Sequence, residues 1–210
     1  MQLTRLGHAC IRLEVEGGPT VVVDPGVFST PDALVGADAV LVTHEHADHF
    51  QPEVLLSALE ADPALRIWTN TSVAEQLGAS SGRVHVVGDG DAFDIDGLSV
   101  SVHGEWHEVV HPAIPRVGNV GFLLAGSLFH PGDAFTLPGV PVESLLVPLH
   151  GPWSKSGEVL DYVREVAPTR AFPMHDGLLN ERGQGLMANL LTATGAPYQP
   201  LDSGTPVTLG

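Results

Sequence analysis

Residues 44–49 read His-Glu-His-Ala-Asp-His, four potential ligands in six positions with the form H-x-H-x-D-H. Imidazole and carboxylate are donors that suit Zn²⁺ and neighbouring divalent ions. Two histidines separated by one residue point the same way from an extended loop, so His44 and His46 can grip one ion. Asp48 and His49 fall where the chain turns toward a helix and can face a second ion a few ångströms away. The chain has 11 histidines, one cysteine (Cys10) and one lysine (Lys155). A lone cysteine excludes an internal disulfide and a thiolate zinc cluster, which leaves nitrogen and oxygen to bind metal.

Two ions need more donors than this cluster holds, and later segments offer them. Asp133, in His130-Pro131-Gly132-Asp133, follows an apolar run and has two oxygens with which to bridge a pair of ions. His175 stands just past another such run, in Met174-His175-Asp176. His103, His107 and His111, spaced by four, compete for the third histidine position of the first site. Pro112 and Pro115 argue against one helix carrying all three. Gly104 ends the strand, so His107 sits in the loop beyond it and ranks ahead of His111 and His103.

Other polar residues have plainer readings. His85 is mid-strand, packed or exposed rather than a ligand. His130 precedes Asp133 and points the opposite way in a regular strand. His8 and His150 can line the cleft, and Trp106 and Trp153 can wall a pocket or simply pack. Arg116 is the base best placed to meet a carboxylate or phosphate, unless it pairs with surplus acid.

The elements that must position these groups are short. Strands are expected over 9–16, 20–23, 39–43, 66–69, 83–87, 92–95, 98–103, 120–125, 127–130, 144–147 and 170–173, from β-branched or alternating apolar runs. Asp96-Gly97 and Gly126 mark hairpins. Helical spacing appears over 52–61, 72–77, 157–166 and 185–191. The first half is mostly β and the second alternates β and α, which predicts an α/β (α+β) fold in one domain spanning 1–210, two sheets with helices outside them.

Nine basic against 25 acidic residues leave a formal charge of −16 over 210 residues. So negative a chain repels phosphate backbones and anionic lipids, so neither nucleic acid nor membrane is an expected partner. The start, Met1-Gln2-Leu3-Thr4-Arg5-Leu6, lacks the basic patch and apolar run of a secretion signal, and a cytoplasmic location is expected.

The H-x-H-x-D-H cluster after an apolar strand, followed in order by Gly132-Asp133 and His175, resembles the metallo-β-lactamase superfamily of metal-dependent hydrolases. Gly7-His8-Ala9 and Val23-Asp24-Pro25 are similar to its ascorbate-6-phosphate lactonase-like branch. The resemblance implies a four-layer αββα sandwich. It also implies residue roles. His44, His46 and His107 would hold one metal, Asp48, His49 and His175 the other, and Asp133 would bridge them. Asp24 would orient a ligand or the cluster loop. Asp133 stands where one large β-lactamase subclass carries cysteine, and His46 where di-iron flavoprotein relatives carry glutamate.

The function expected is that of a dinuclear hydrolase, with zinc ahead of manganese or iron. A hydroxide made available at neutral pH by the ions would attack a small ester, lactone or phosphodiester, with Asp48 shuttling its proton. The alternatives are a mononuclear iron or zinc enzyme of the same fold and a metal-holding binding protein without hydrolytic activity.

Overall fold

Apolar runs bounded by Gly, Pro or Asp become strands, and runs with apolar residues three and four apart become helices. The first half contains β1 (Gln2–Arg5), β2 (Ile11–Glu14), β3 (Thr20–Val23), β4 (Ala39–Val42), helix α1 (Pro52–Ala61), β5 (Arg66–Thr69), α2 (Thr71–Gln76) and β6 (Val84–Val86). The second half contains β7 (Ala92–Ile95), β8 (Leu98–His103), β9 (Gly121–Leu124), β10 (Leu128–His130), β11 (Ser144–Pro148), α3 (Ser156–Val166), β12 (Arg170–Met174), α4 (Glu181–Ala193) and β13 (Val207–Thr208). This computed structural model describes residues 1–78 and 82–210.

One sheet runs β13-β1-β2-β3-β4-β5-β6 and the other β12-β11-β10-β9-β8-β7. In the first, β1, β2 and β3 are antiparallel and β3 to β6 parallel. In the second, β7 to β10 are antiparallel and β10 to β12 parallel. Side-chain alternation then builds the layers. Val21, Val23, Ala39 and Leu41 face the second sheet's Val100, Phe122, Leu146 and Phe172 in a central core. Val22, Val40 and Val42 face outward to Leu55 and Leu59 of α1 and Val73 of α2. Leu145 and Val147 pack on Val159 and Val163 of α3 and on Met187 and Leu191 of α4. The expected αββα sandwich is the observed fold. Strands covered on both faces explain the nearly continuous apolar runs at 39–42 and 144–148.

Two details differ from the sequence reading. β1 and β13 pair at one edge of the first sheet, Gln2 opposite Thr208 and Leu3 opposite Val207. Their few apolar residues gave no periodic signal. α4 begins at Glu181, four residues before the expected start, because the Asn180 side chain accepts from the Gly183 N–H and caps it there. Among the described residues no helix is long and apolar enough to cross a membrane.

This topology decides where chemistry can collect. β3 and β4 are parallel and end at one edge of their sheet. β8 and β10 are each antiparallel to β9, and β12 shares the direction of β10, so β8, β10 and β12 end together. Loops leaving the carboxyl ends of such strands are the usual place for ligands in sheets of this kind.

Candidate metal centre

The residues the sequence ranked first as ligands all follow one of those strand ends. His44, His46, Asp48 and His49 lie between β4 and α1, where the carbonyl of His46 accepts from the N–H groups of His49 and Phe50 (both 2.9 Å) and closes a tight turn. Gly26 lies directly against this turn: a Cβ there would collide with the backbone of Asp48, so only glycine lets the loop after β3 approach. His107 follows β8, Asp133 follows β10 and His175 follows β12. Asp24 and His175 both have left-handed backbones, with φ of 51° and 52°. Such conformations are uncommon for residues with side chains and collect at functional sites.

Two groups form. The ligand atoms of His44, His46, His107 and Asp133 lie within 4.8 Å of one another, and so do those of His8, Asp48, His49 and His175. Asp133 stands between them. Its Oδ2 is 3.3 Å from His107 Nε2, 3.9 Å from His44 Nε2 and 2.9 Å from His175 Nε2, and its Oδ1 is 3.2 Å from His49 Nε2. Asp48 Oδ2 is 3.4 Å from His175 Nε2. His103, bonded to Ser101 and edge-on to Phe129, lies outside both groups, as does exposed His111. Of the three competing histidines, the fold brings His107 to the centre.

A set of hydrogen bonds outside the ligands fixes which ring nitrogen faces in. His107 Nδ1 donates to the Glu108 carbonyl (2.6 Å) and His175 Nδ1 to the His150 carbonyl (2.5 Å). His49 Nδ1 donates to Asp24 Oδ2 (2.7 Å). His44 Nδ1 donates to Thr43 Oγ1 (2.9 Å), whose hydroxyl in turn donates a hydrogen bond to Asp24 Oδ2 (2.7 Å). Four imidazoles are thereby set with Nε2 directed inward, the arrangement metal-ligating histidines usually have. His46 instead turns Nδ1 to within 3.1 Å of His44 Nε2.

Asp24 thus steadies one residue from each group. Trp153 Nε1 donates to Asp133 Oδ2 (3.2 Å), and its ring meets those of His107 and His175 edge-on at 5.8 and 5.9 Å. Asn119 accepts from the Asp133 N–H (3.0 Å) and donates to the Pro131 carbonyl (2.9 Å), fixing the loop that carries Asp133. Nothing in the sequence around Asn119 or Thr43 marks them for these tasks.

The electrostatics follow from burial against charge. Burial pushes His44 well below the ordinary imidazole range, reinforced by the charge on His49. Burial would lower His49 too, but Asp133 and Asp24 hold it well above that range. His175 is lowered by burial and, more strongly, raised by Asp133 and Asp48, to about 9. Burial would raise both carboxylates. The facing rings of His49 and His175 overcome this at Asp133, and those of His175, His8 and His49 overcome it at Asp48, so both are held well below the usual carboxylate range. In the metal-free chain, protons on His49 and His175 supply positive charge to the two acids.

The other candidates take supporting places. His130 Nε2 donates to the Ala9 carbonyl and its Nδ1 accepts from the Gly132 N–H. His85 stacks on Trp68. Arg116 donates from Nε to the His107 carbonyl and lies over Trp106, so it braces the loop that presents His107. Trp153 lines a cavity of about 370 Å³ with Val109, Val110 and Phe135, and Trp106 lines another of about 400 Å³ with Asn70 and Asp89.

Comparison with known proteins agrees with this architecture. A family model described as a β-lactamase superfamily domain matches residues 2–175. The chain is 38% identical to Protein Rv0786c of Mycobacterium tuberculosis over 215 residues, 99% of this chain and 100% of that one. It is 27% identical to the UPF0173 metal-dependent hydrolase MK1542 of Methanopyrus kandleri, over 84% of each. Igni18, a metallo hydrolase from Ignicoccus hospitalis, is similar in fold with a TM-score of 0.77, at 19% identity over 100% of this chain and 98% of its own.

Proposed function

We propose that this chain, which belongs to the β-lactamase superfamily, is a metal-dependent hydrolase that works with two divalent cations, zinc first among them, on a small ester, lactone or phosphodiester. One observation carries the reading. His49 Nε2, His175 Nε2 and Asp133 Oδ1 are buried and, among the described residues, have no hydrogen-bond partner. The two nitrogens lie 2.9–3.2 Å from oxygens of Asp133 but not in hydrogen-bond geometry. Buried polar atoms are expensive to leave unpaired, and several converging on one space fit a cation there. The donor set, nitrogen and carboxylate oxygen with no sulfur, suits zinc and its neighbours.

His44, His46 and His107 would hold one cation, Asp48, His49 and His175 the second, and Asp133 would lie between them. Such a pair, when bound, supplies a water acidic enough to ionise near pH 7 and a Lewis acid for the carbonyl or phosphoryl oxygen. The chain does the rest. Asp48 is the more open of the two carboxylates, with a quarter of its side chain exposed against 3% for Asp133. With a cation pair bound, Asp48 would be placed to accept a hydrogen bond from the attacking water and to shuttle its proton toward the leaving oxygen. The outward Nδ1 contacts hold the rings in place so that nothing must reorganise during turnover.

Similarity to the metal-dependent hydrolase of Methanopyrus kandleri supports hydrolysis. The N-terminal Gly7-His8-Ala9 resemblance is what brings lactones into that substrate class. The reading treats residues 1–210 as one hydrolase domain, at work in the cytoplasm on a small molecule.

The test joins metal analysis of the purified protein to a screen over lactone, ester, phosphodiester and β-lactam substrates. Close to two equivalents of divalent metal are expected, with Asp133→Ala and His46→Ala each losing metal and turnover. Full metal content in both variants would remove the assignment. One equivalent of iron without hydrolysis would point to a mononuclear enzyme.

A further inference from the structure

His8 belongs by distance to the second group, yet its two ring nitrogens have different obligations. Nδ1 receives the backbone N–H of Gly177 at 2.9 Å. A backbone N–H can only donate, so Nδ1 offers its lone pair and carries no proton. The ring proton therefore sits on Nε2, which lies 3.1 Å from Asp48 Oδ2. A protonated Nε2 has no lone pair left for a cation. A doubly protonated ring would leave the Gly177 N–H without its acceptor.

The rest of the residue strengthens the tie. The His8 carbonyl accepts the N–H of His175 at 3.0 Å, and the two rings lie 4.0 Å apart between centroids. His8 is buried, 3% exposed, in a turn closed by the Cys10 N–H to Gly7 carbonyl bond. The neighbouring Ala9 carbonyl is anchored by His130. One residue thus reaches Asp48 with its ring, His175 with its backbone and Gly177 with its other nitrogen.

We infer that His8 is a positioning residue and not a metal ligand, a fixed Nε2–H donor that sets Asp48 and the left-handed His175 turn for the second cation. The inference rests on the metal-dependent reading above and refines it. Second-sphere partners of this kind typically change metal affinity 10–100-fold when removed.

The first measurement needs no metal. Nitrogen-15 NMR of the histidine rings in the metal-free protein is expected to show His8 protonated on Nε2 alone, and a ring protonated on Nδ1 overturns the inference. The second is zinc titration against a chromophoric chelator. His8→Leu is expected to weaken the second equivalent about 10–100-fold while sparing the first, and His8→Gln, whose amide can donate to Asp48 and accept from Gly177, to restore most of it. Gly177→Ala perturbs the same bond without touching His8, because a Cβ there would stand 2.7 Å from Nδ1. It should weaken the second equivalent in the same direction and keeps the test open if His8→Leu folds poorly.

Equal loss in the Leu and Gln variants would make His8 a ligand and sink the inference, as would wild-type affinity in His8→Leu. A wild-type protein that takes up no zinc would sink the proposed function instead. The NMR result would then still decide whether His8 donates to Asp48.

Discussion

Replacing Asp24 with asparagine removes one charge from beneath the whole centre while leaving its shape. The backbone there has φ of 51°, a conformation asparagine tolerates well, so strain is not the perturbation. The carboxylate accepts three hydrogen bonds: from the Thr43 N–H at 2.8 Å, from Thr43 Oγ1 at 2.7 Å and from His49 Nδ1 at 2.7 Å. An amide has one acceptor oxygen, so whichever way it turns, its NH₂ meets a buried donor. A buried hydrogen bond to a charged group contributes about 1.5–3 kcal/mol, so Asp24→Asn should cost about 2 kcal/mol. For a chain of this size that lowers the thermal midpoint by roughly 4–8 °C.

The metal effect is larger in scope. Asp24 orients His49 directly and His44 through Thr43, one residue from each group. Both equivalents of zinc should therefore weaken, each by about 10–100-fold, or about 1.4–2.8 kcal/mol. Competition titration against a chromophoric chelator reads both steps. Loss confined to one equivalent, or unchanged affinity beside a lowered midpoint, would refute the idea that this single carboxylate governs the pair.

Four further outcomes follow from the same geometry. His49, held well above the ordinary range, and His175, at about 9, are both protonated near neutrality in the metal-free chain, so loading at pH 7 should release close to two protons; calorimetry in buffers of different ionisation enthalpy measures this, and heats independent of buffer would contradict it. Because the folded pKa of His175 is raised, its stabilising contribution is complete below about 6.5 and is lost as pH climbs toward 9, so the thermal midpoint of metal-free protein should fall across that window. Trp153→Phe keeps a ring beside His107 and His175 but deletes the donor to Asp133. Zinc affinity should drop about tenfold, and the quenching of tryptophan fluorescence by Co²⁺ should largely disappear; quenching as strong as in wild type would place the emitting residue elsewhere. Phe122→Ala opens the core between the sheets and should cost about 3–5 kcal/mol of unfolding free energy in denaturant titration while zinc stoichiometry stays at the wild-type value.

How much of this was legible beforehand varied with the kind of signal. α1, β3, β5, β7 and β8 stand at the residues their apolar patterns indicated, because each buries a recurrent face and is closed by Gly, Asp or Asn. β1 and β13 were silent because a strand of two to four residues with a single large apolar side chain has no period to detect. α4 starts early because capping by Asn180 outweighs the helix-weakening glycines that follow. At the centre, His44, His46, Asp48 and His49 are neighbours in the chain, so their convergence could be read locally. His107 could be ranked but not chosen, since the Trp106–Gly118 bridge that shapes its loop spans residues far apart in sequence. The tasks of Asn119, Thr43 and His8 are set by side-chain contacts between distant loops, and no spacing rule encodes them.

The candidate ligands come from both sheets, with His44 to His49 on loops of one and His107, Asp133 and His175 on loops of the other. Ions held there would act as rivets through the seam of the sandwich. At a thousand times its dissociation constant each would add about 4 kcal/mol to the folded state, so a pair would rival the entire stability of an ordinary domain. A chelator would then do more than silence the protein: it would leave two half-shells joined by oily contact and a few hydrogen bonds such as His8 to Gly177 and His130 to Ala9, ready to part first at the lip where the rivets had been.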